Sequence, residues 1–275
     1  MLGVGKWAER LQGECVKYHI LGSLRVVDGD DVVFINAAKV KTLLALLLIR
    51  ANQVVPFDHI VSELWGESPP RRASAAVHVY VSQLRKLLRS PGCPKGPIIT
   101  RAPGYLLQVN PDDFDLKIFM GLVEQGRVSK REQQDQKVIE LARKALDLWR
   151  EPVLVDLRES PAVARFSTWL EELRIEFIEM MIDSHLALGR DRESVSYLYS
   201  LLQDYPLHET FYRQLMIALN NSGRAGEALQ VYRSARETLR NELGLEPGQV
   251  LQDLRWHILC ENGSPRPRLT ASHSN

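Results

Sequence analysis

The chain has little of what secreted, membrane-spanning and metal-bound proteins are built from. Its three cysteines, Cys15, Cys93 and Cys260, are odd in number, far apart and without CxxC or metal-ligand spacing. Ordinary cytosolic thiols are therefore expected, not disulfide partners or ligands. The longest apolar run, Leu43 to Ile49, is under half of the ~20 residues that a spanning helix needs. The opening MLGVGKWAERLQGE contains no secretory h-region, so a cytoplasmic location is the expectation. His19, His59, His78, His185, His208, His257 and His273 pair with no acid or cysteine at a metal spacing, and a nucleophile elbow and a phosphate-cradling GxxxxGKS/T loop are both missing. Catalysis, a metal and a cofactor are not expected. Asp28-Gly29-Asp30-Asp31 lacks the remaining ligand positions of a calcium loop and reads as a hairpin turn.

One absence is local. From Ser68 to Arg101 there is no aspartate or glutamate, yet the stretch carries Arg71, Arg72, Arg85, Lys86, Arg89, Lys95 and Arg101. Solvated surface helices usually mix both signs. From Ala73 to Leu88 the pattern is helical: Ala73, Val77, Tyr80, Val81, Leu84, Leu87 and Leu88 recur at three- and four-residue steps as one apolar face. The other side presents Arg71, Ser74, Ala75, His78, Ser82, Arg85 and Arg89, with Val79, Gln83 and Lys86 beside them. Small and hydrogen-bonding residues in the middle, with cations at the ends, suit a major groove, where the middle meets base edges and the ends meet phosphates. The whole chain repeats this division of charge. Residues 1–108 carry 14 Lys and Arg against 8 Asp and Glu, a balance of +6, and residues 109–275 carry 21 against 26, a balance of −5. Such a split is expected when one part approaches a polyanion and the other does not.

Length and composition allow one or two globular domains. Residues 1–17 read as a lead-in. Tyr18 to Val27 and Asp31 to Ile35 read as strands around a turn. A helix follows to about Ala51 with Asn36 as its cap, then an extended VVPF, then a short helix from about Asp58, with Asp58 as cap, that stops at Gly66. Pro69-Pro70 forces a tight turn before the basic helix, which gives a helix-turn-helix. Ser90-Pro91-Gly92 ends that helix. Pro97 to Val109 reads as two short strands around Ala102-Pro103-Gly104, a hairpin wing that places Thr100, Arg101 and Tyr105 beside its turn. Two readings stand for Tyr105: contact with phosphate or the minor groove, or packing of a strand residue on the helices.

The run ALLLIRANQVV, SELWGESPP, HVYVSQLRKLL and ITRAPGYLL, in that order, resembles the DNA-binding domain of the Streptomyces antibiotic regulatory proteins, an OmpR-type winged helix, over about Tyr18 to Val109. The resemblance implies that the third helix enters the major groove, presenting Ala75, His78, Val79, Ser82, Gln83, Arg85 and Lys86, and that the wing contacts flanking backbone. It also implies a direct repeat near a promoter −35 region, bound by two protomers side by side, and contact with RNA polymerase including its sigma factor. Glu63 and Glu67, at the turn between the two helices, are the residues expected to make that contact; a solvated turn is the other reading.

From Asp112 the sequence is acidic and helical. Helices are expected from Asp112 or Asp113 to Gly126, Lys130 to Trp149, Ala162 to Leu188, Arg192 to Tyr205, Glu209 to Asn221, Ala225 to Glu242 and Gln249 to Leu259. Gly189-Arg190 and Gly223-Arg224 lie 34 residues apart, the period of tetratricopeptide-type helical pairs. Stacked helix pairs leave a concave face suited to a partner or small ligand, which Trp149, Trp169 and Trp256 could line, but all three fit core spacing and are expected in the core. LDLWRE, LEELR, PLHE, LMIALNNSGRAGEAL and NELGLEPGQVLQDL resemble the bacterial transcriptional activation domain of the same family. The expected fold is thus mainly α with a small antiparallel β component. A winged helix-turn-helix over residues 18–110 precedes an all-α, tetratricopeptide-like domain over 111–260, and a disordered tail over 261–275. The expected function is that of a non-enzymatic transcription activator of antibiotic biosynthesis genes. A repressor on the same fold and a protein-binding helical adaptor stay open as alternatives.

Overall fold

The computed structural model describes residues 16–29, 31–89 and 96–263. Cys15, Cys93, Lys95, the Ser90-Pro91-Gly92 stop, the expected lead-in up to residue 15 and the expected tail from residue 264 lie outside the described residues. Two compact units emerge. One gathers the residues up to Gln125 together with Arg143–Ile175, and the other gathers Gly126–Ala142 with the residues from Glu176 onward.

The first unit starts with an antiparallel sheet of β1 (Lys17–His19), β2 (Arg25–Asp28) and β3 (Asp31–Val33), in that order. The single strand expected over Tyr18 to Val27 is thus two strands. The chain bends between them, and Tyr18 pairs with Val26 while Val26 pairs with Val33. Asp28 opposite Asp31 closes the expected hairpin, with Gly29 at a positive φ of 61°. After the sheet, α1 (Ala38–Ile49) is apolar nearly all round, and Val40 and every residue from Leu43 to Leu48 are buried. A helix without a polar stripe must be covered on all sides, and α2 (Phe57–Trp65), α3 (Ala73–Leu87) and the wing pack against it. Asn36 does not cap α1: Ala37 holds the N-cap position with no side-chain bond. Asp58 lies inside the first turn of α2, because β4 (Val54–Pro56) runs directly into that helix and Pro56 is the N-cap.

The wing strands β5 (Ile98–Arg101) and β6 (Gly104–Leu107) complete a second antiparallel sheet in the order β4-β6-β5. Gly104 sits opposite Pro56, where an added Cβ would overlap the Val55 carbonyl, so only glycine fits. Asn52 fastens the other end of the sheet. Its side-chain oxygen accepts from the Val109 N–H at 3.0 Å, and its amide donates to the Val109 carbonyl at 2.9 Å. The unit continues into α4 (Asp115–Arg131), whose first residue is buried. The Asp115 carboxylate accepts the N–H groups of Ile20 at 3.0 Å and Leu21 at 3.1 Å. The sheet β1–β3 is thereby pinned to a helix that the sequence reading assigned beyond the winged helix.

Beyond α5 (Asp135–Leu146) and the long α6 (Pro161–Ala187), the second unit stacks α7 (Asp191–Asp204), α8 (Glu209–Asn221), α9 (Ala225–Leu243) and α10 (Gln249–Gly263). The 34-residue spacing recurs in the hydrogen bonds. Gly189 and Gly223 have φ of 68° and 77°. The Arg190 N–H reaches the His185 carbonyl at 2.9 Å, and the Arg224 N–H reaches the Leu219 carbonyl at 2.8 Å. The same left-handed glycine stop thus ends both preceding helices. Two tryptophans contradict the core expectation: Trp169 is 46% exposed and Trp256 is 70% exposed. Helical spacing assigns a residue to a face without saying whether a neighbour covers that face. Among the described residues no helix is long and apolar enough to cross a membrane.

Candidate nucleic-acid interface

The stretch α2–turn–α3 is joined by apolar and aromatic contacts. Val77, Val81 and Leu84 bury one face of α3, and Trp65 of α2 stacks on Tyr80 with ring centroids 6.3 Å apart. Leu87, expected on this face, is 41% exposed; at ~100° per residue it lies ~80° from the centre of the buried stripe. The turn expected to be tight spans Gly66 to Arg72. Gly66 leaves α2 at a φ of 63°, and the Pro70 carbonyl accepts from the Ala73 N–H at 2.9 Å as α3 begins.

On the outer face Ser74, Ala75, His78, Val79, Ser82, Gln83 and Lys86 are all exposed, and Arg71, Arg72 and Arg89 are exposed at the two ends. Ala75, Val79, Ser82 and Lys86 form the centre line of this face, which leaves it shallow and without bulk for most of its length. Arg71, Arg72, Lys86, Arg89 and the wing's Arg101 make no ion pair with another described residue.

Three residues depart from the roles expected of them. Arg85 is half-buried and turns along the helix to the wing. Its Nε donates to the Ile98 carbonyl at 2.9 Å, and its Nη2 donates to the Thr100 hydroxyl at 2.7 Å. The guanidinium also lies 5.9 Å from the centroid of the Tyr105 ring. Arg85 therefore ties α3 to β5 through two of its donors. Tyr105 is 4% exposed, which settles its two readings in favour of packing. Its hydroxyl sits 2.8 Å from Nδ1 of His78, whose ring also lies 5.6 Å from that of Phe57. Thr100 and Arg101 are exposed on the wing. Helix periodicity gives no sign of these bonds, since each partner lies on another element.

Glu63 is the third. It is 8% exposed and faces α6. Its carboxylate accepts from the Ser160 hydroxyl and the Ala162 N–H, both at 2.8 Å, and pairs with Arg165 at 3.3 Å. A carboxylate saturated in this way is unavailable to a partner protein. Glu67 is exposed in the turn. Both residues were placed by their position next to the turn, and only the fold separates one that points inward from one that points out.

The same two parts of the chain match known families. Residues 36–107 match the family described as "Transcriptional regulatory protein, C terminal", and residues 114–259 match "Bacterial transcriptional activator domain". The chain is 35% identical over 251 residues to the regulatory protein DnrI of Streptomyces peucetius, covering 89% of this chain and 92% of that protein. It is 34% identical over 253 residues to the transcriptional regulator RedD of Streptomyces coelicolor, covering 91% and 72%. A solved structure of Mycobacterium tuberculosis EmbR, in complex with a low affinity phosphopeptide, superposes with a TM-score of 0.85 at 31% identity. That match covers 90% of this chain and 65% of that one. With both halves matched in order and a relative spanned almost end to end, the chain belongs to the Streptomyces antibiotic regulatory proteins, a family of winged-helix transcriptional regulators.

Proposed function

We propose that the protein is a cytoplasmic, non-enzymatic activator that binds a direct repeat near a promoter −35 region as two protomers side by side and recruits RNA polymerase to antibiotic biosynthesis genes. The observation that carries this reading is the outer face of α3, exposed along its length and rimmed by cations that make no ion pair with another described residue. In the major groove, Ala75 and Val79 give close approach, and Ser82, Gln83 and His78 meet base edges. Arg71, Arg72, Lys86, Arg89 and Arg101 meet phosphates. The bond between the Tyr105 hydroxyl and Nδ1 of His78 holds the imidazole in place and leaves Nε2 to meet a base edge. Glu67, the exposed acid of the turn, takes the polymerase contact, including sigma, because that turn lies away from the groove in helix-turn-helix geometry.

The test uses the full chain and a promoter fragment with two repeats. Binding should weaken steeply and linearly on a log–log salt plot, and scrambling one repeat should lower affinity by more than half of the binding sites' contribution. Glu67→Arg should not weaken DNA binding and should reduce transcription from the reconstituted promoter. Salt-independent binding, or equal affinity for promoter and random DNA, overturns the DNA reading. Unchanged transcription by Glu67→Arg overturns the polymerase assignment alone.

A further inference from the structure

A cleft of about 470 Å³ opens in the unit that contains the helix-turn-helix, walled by α1, α2, α4 and α6. Its size falls among small-molecule sites. Ile49, Met120, Phe166 and Trp169 are among its apolar walls, Arg50, Lys117, Arg165 and His59 are its basic residues, and no aspartate or glutamate lines it. None of these groups belongs to the face proposed to meet DNA.

Two features separate this concavity from ordinary solvated surface. The side chains of Arg50 and Lys117 make no hydrogen bond or ion pair with another described residue. The third cation, Arg165, reaches Glu63 at 3.3 Å and keeps 70% of its side chain exposed. Unpaired cations scattered over a surface are solvated and need no explanation, but these converge on one cleft. The second feature is the wall. Trp169 is 46% exposed in the middle of a helix whose other large apolar residues are mostly covered, and its ring leans on Phe166 with centroids 5.7 Å apart. A flat aromatic surface beside unpaired cations has complementary chemistry in a molecule that carries both a flat body and an acid.

We propose that this cleft binds a small organic anion with a flat aromatic or conjugated body. Its acid group meets Arg50 and Lys117, and its body lies on Phe166 and Trp169. An acidic peptide would satisfy the cations and leave the aromatic wall exposed, so the small molecule is the better occupant.

The probe is 2-naphthoate, titrated into the full chain by calorimetry and by tryptophan emission, with 2-naphthylmethanol as its neutral counterpart. Saturable binding near one equivalent is expected, with the acid favoured over the alcohol by at least about tenfold, since two cations converge on one acid group. The Arg50→Gln, Lys117→Gln double variant should lose that preference and keep its affinity for the alcohol. Trp169→Leu should weaken both ligands, and each variant should retain the far-ultraviolet dichroism of the parent. The proposal is overturned by absent saturation up to millimolar naphthoate, by equal affinity for acid and alcohol, or by a preference that survives in the double variant. Capture of a glutamate-rich peptide without naphthoate binding overturns it in favour of a peptide groove.

Discussion

Around α3 the cations stand without carboxylate partners among the described residues, whereas in the helices beyond the wing several are paired with carboxylates. Arg127 pairs with Glu176 at 2.8 Å, Arg213 with Asp183 at 3.4 Å, Arg224 with Glu227 at 2.6 Å and Arg236 with Glu246 at 2.6 Å. The exposed pairs shift each other in the expected directions: hydrogen bonding to Glu227 raises Arg224, and hydrogen bonding to Arg224 lowers Glu227. Exposed pairs of this kind add little to stability. Their effect is to cancel the field of each paired charge locally. Leaving Arg71, Arg72, Lys86, Arg89 and Arg101 unmatched has the opposite effect, since unneutralised charges sum into a field that draws a polyanion.

The two glutamates beside the turn give the strongest way to break the comparison, because one of them belongs to the matched class. Glu63→Ala would strip a buried acceptor from Ser160, the Ala162 N–H and Arg165. A loss of about 2 kcal/mol or more is expected from urea denaturation of the full chain, the usual cost of orphaned buried partners. Glu67→Ala, at an exposed position, should stay within about 0.5 kcal/mol of the parent. Equal losses would remove the distinction between them.

On the unmatched face the expected effects divide by role. Gln83→Ala should alter preference at one or two base pairs, by ~1–3 kcal/mol if its amide meets a base edge. His78→Ala should do the same at another. Tyr105→Phe should reproduce part of the His78 effect without moving the salt dependence, since it frees the ring nitrogen and removes no charge. Competition titration against single-base operator variants checks all three, and uniform weakening across the variants would count against base reading. Lys86→Ala and Arg101→Ala should instead weaken every sequence alike, each flattening the log–log salt slope by about one unit. Arg236→Ala, in the matched region, should leave that slope untouched.

Much of this was legible in the sequence for a physical reason: period and punctuation are local. The basic face of α3, the wing turn at Ala102-Pro103-Gly104 and the paired stops at Gly189 and Gly223 each depend on residues close together in the chain. What stayed hidden depends on distant partners. Arg85 looked like a phosphate contact until Ile98 and Thr100 were seen to hold it, and Glu63 looked exposed until α6 was seen to cover it. The Asp115 carboxylate, reaching back to Ile20 and Leu21, gave no signal of its own, two and three residues after the Asp113 and Asp112 at which the helix was expected to start. Trp169 and Trp256 fail the other way: their spacing is that of core residues, and the surface they face is open.

The smallest expected effect sharpens the comparison from the matched side, where one pair is less exposed than the rest. Asp135, in the first turn of α5, accepts from the Lys130 ammonium at 2.7 Å, and the same ammonium reaches the Ser184 hydroxyl at 3.0 Å. Burial alone would raise the carboxyl, but the hydrogen bonds to Lys130 and Ser184 outweigh it and hold Asp135 below its ordinary 3.8. A carboxylate depressed in the folded state binds fewer protons there than in the unfolded chain, so it contributes stability at pH values above the ordinary value. That contribution is lost as pH falls through the lower folded value. The stability difference between the parent and Asp135→Asn should therefore be flat above about pH 5 and shrink as acid is added below 3.8. Exposed acids such as Glu227 and Glu246 titrate in both proteins and cancel in that difference. A gap that stays constant, or widens, through the acid limb would mean that Lys130 does not hold Asp135 in solution, and that the matched region contains only surface pairs too weak to register.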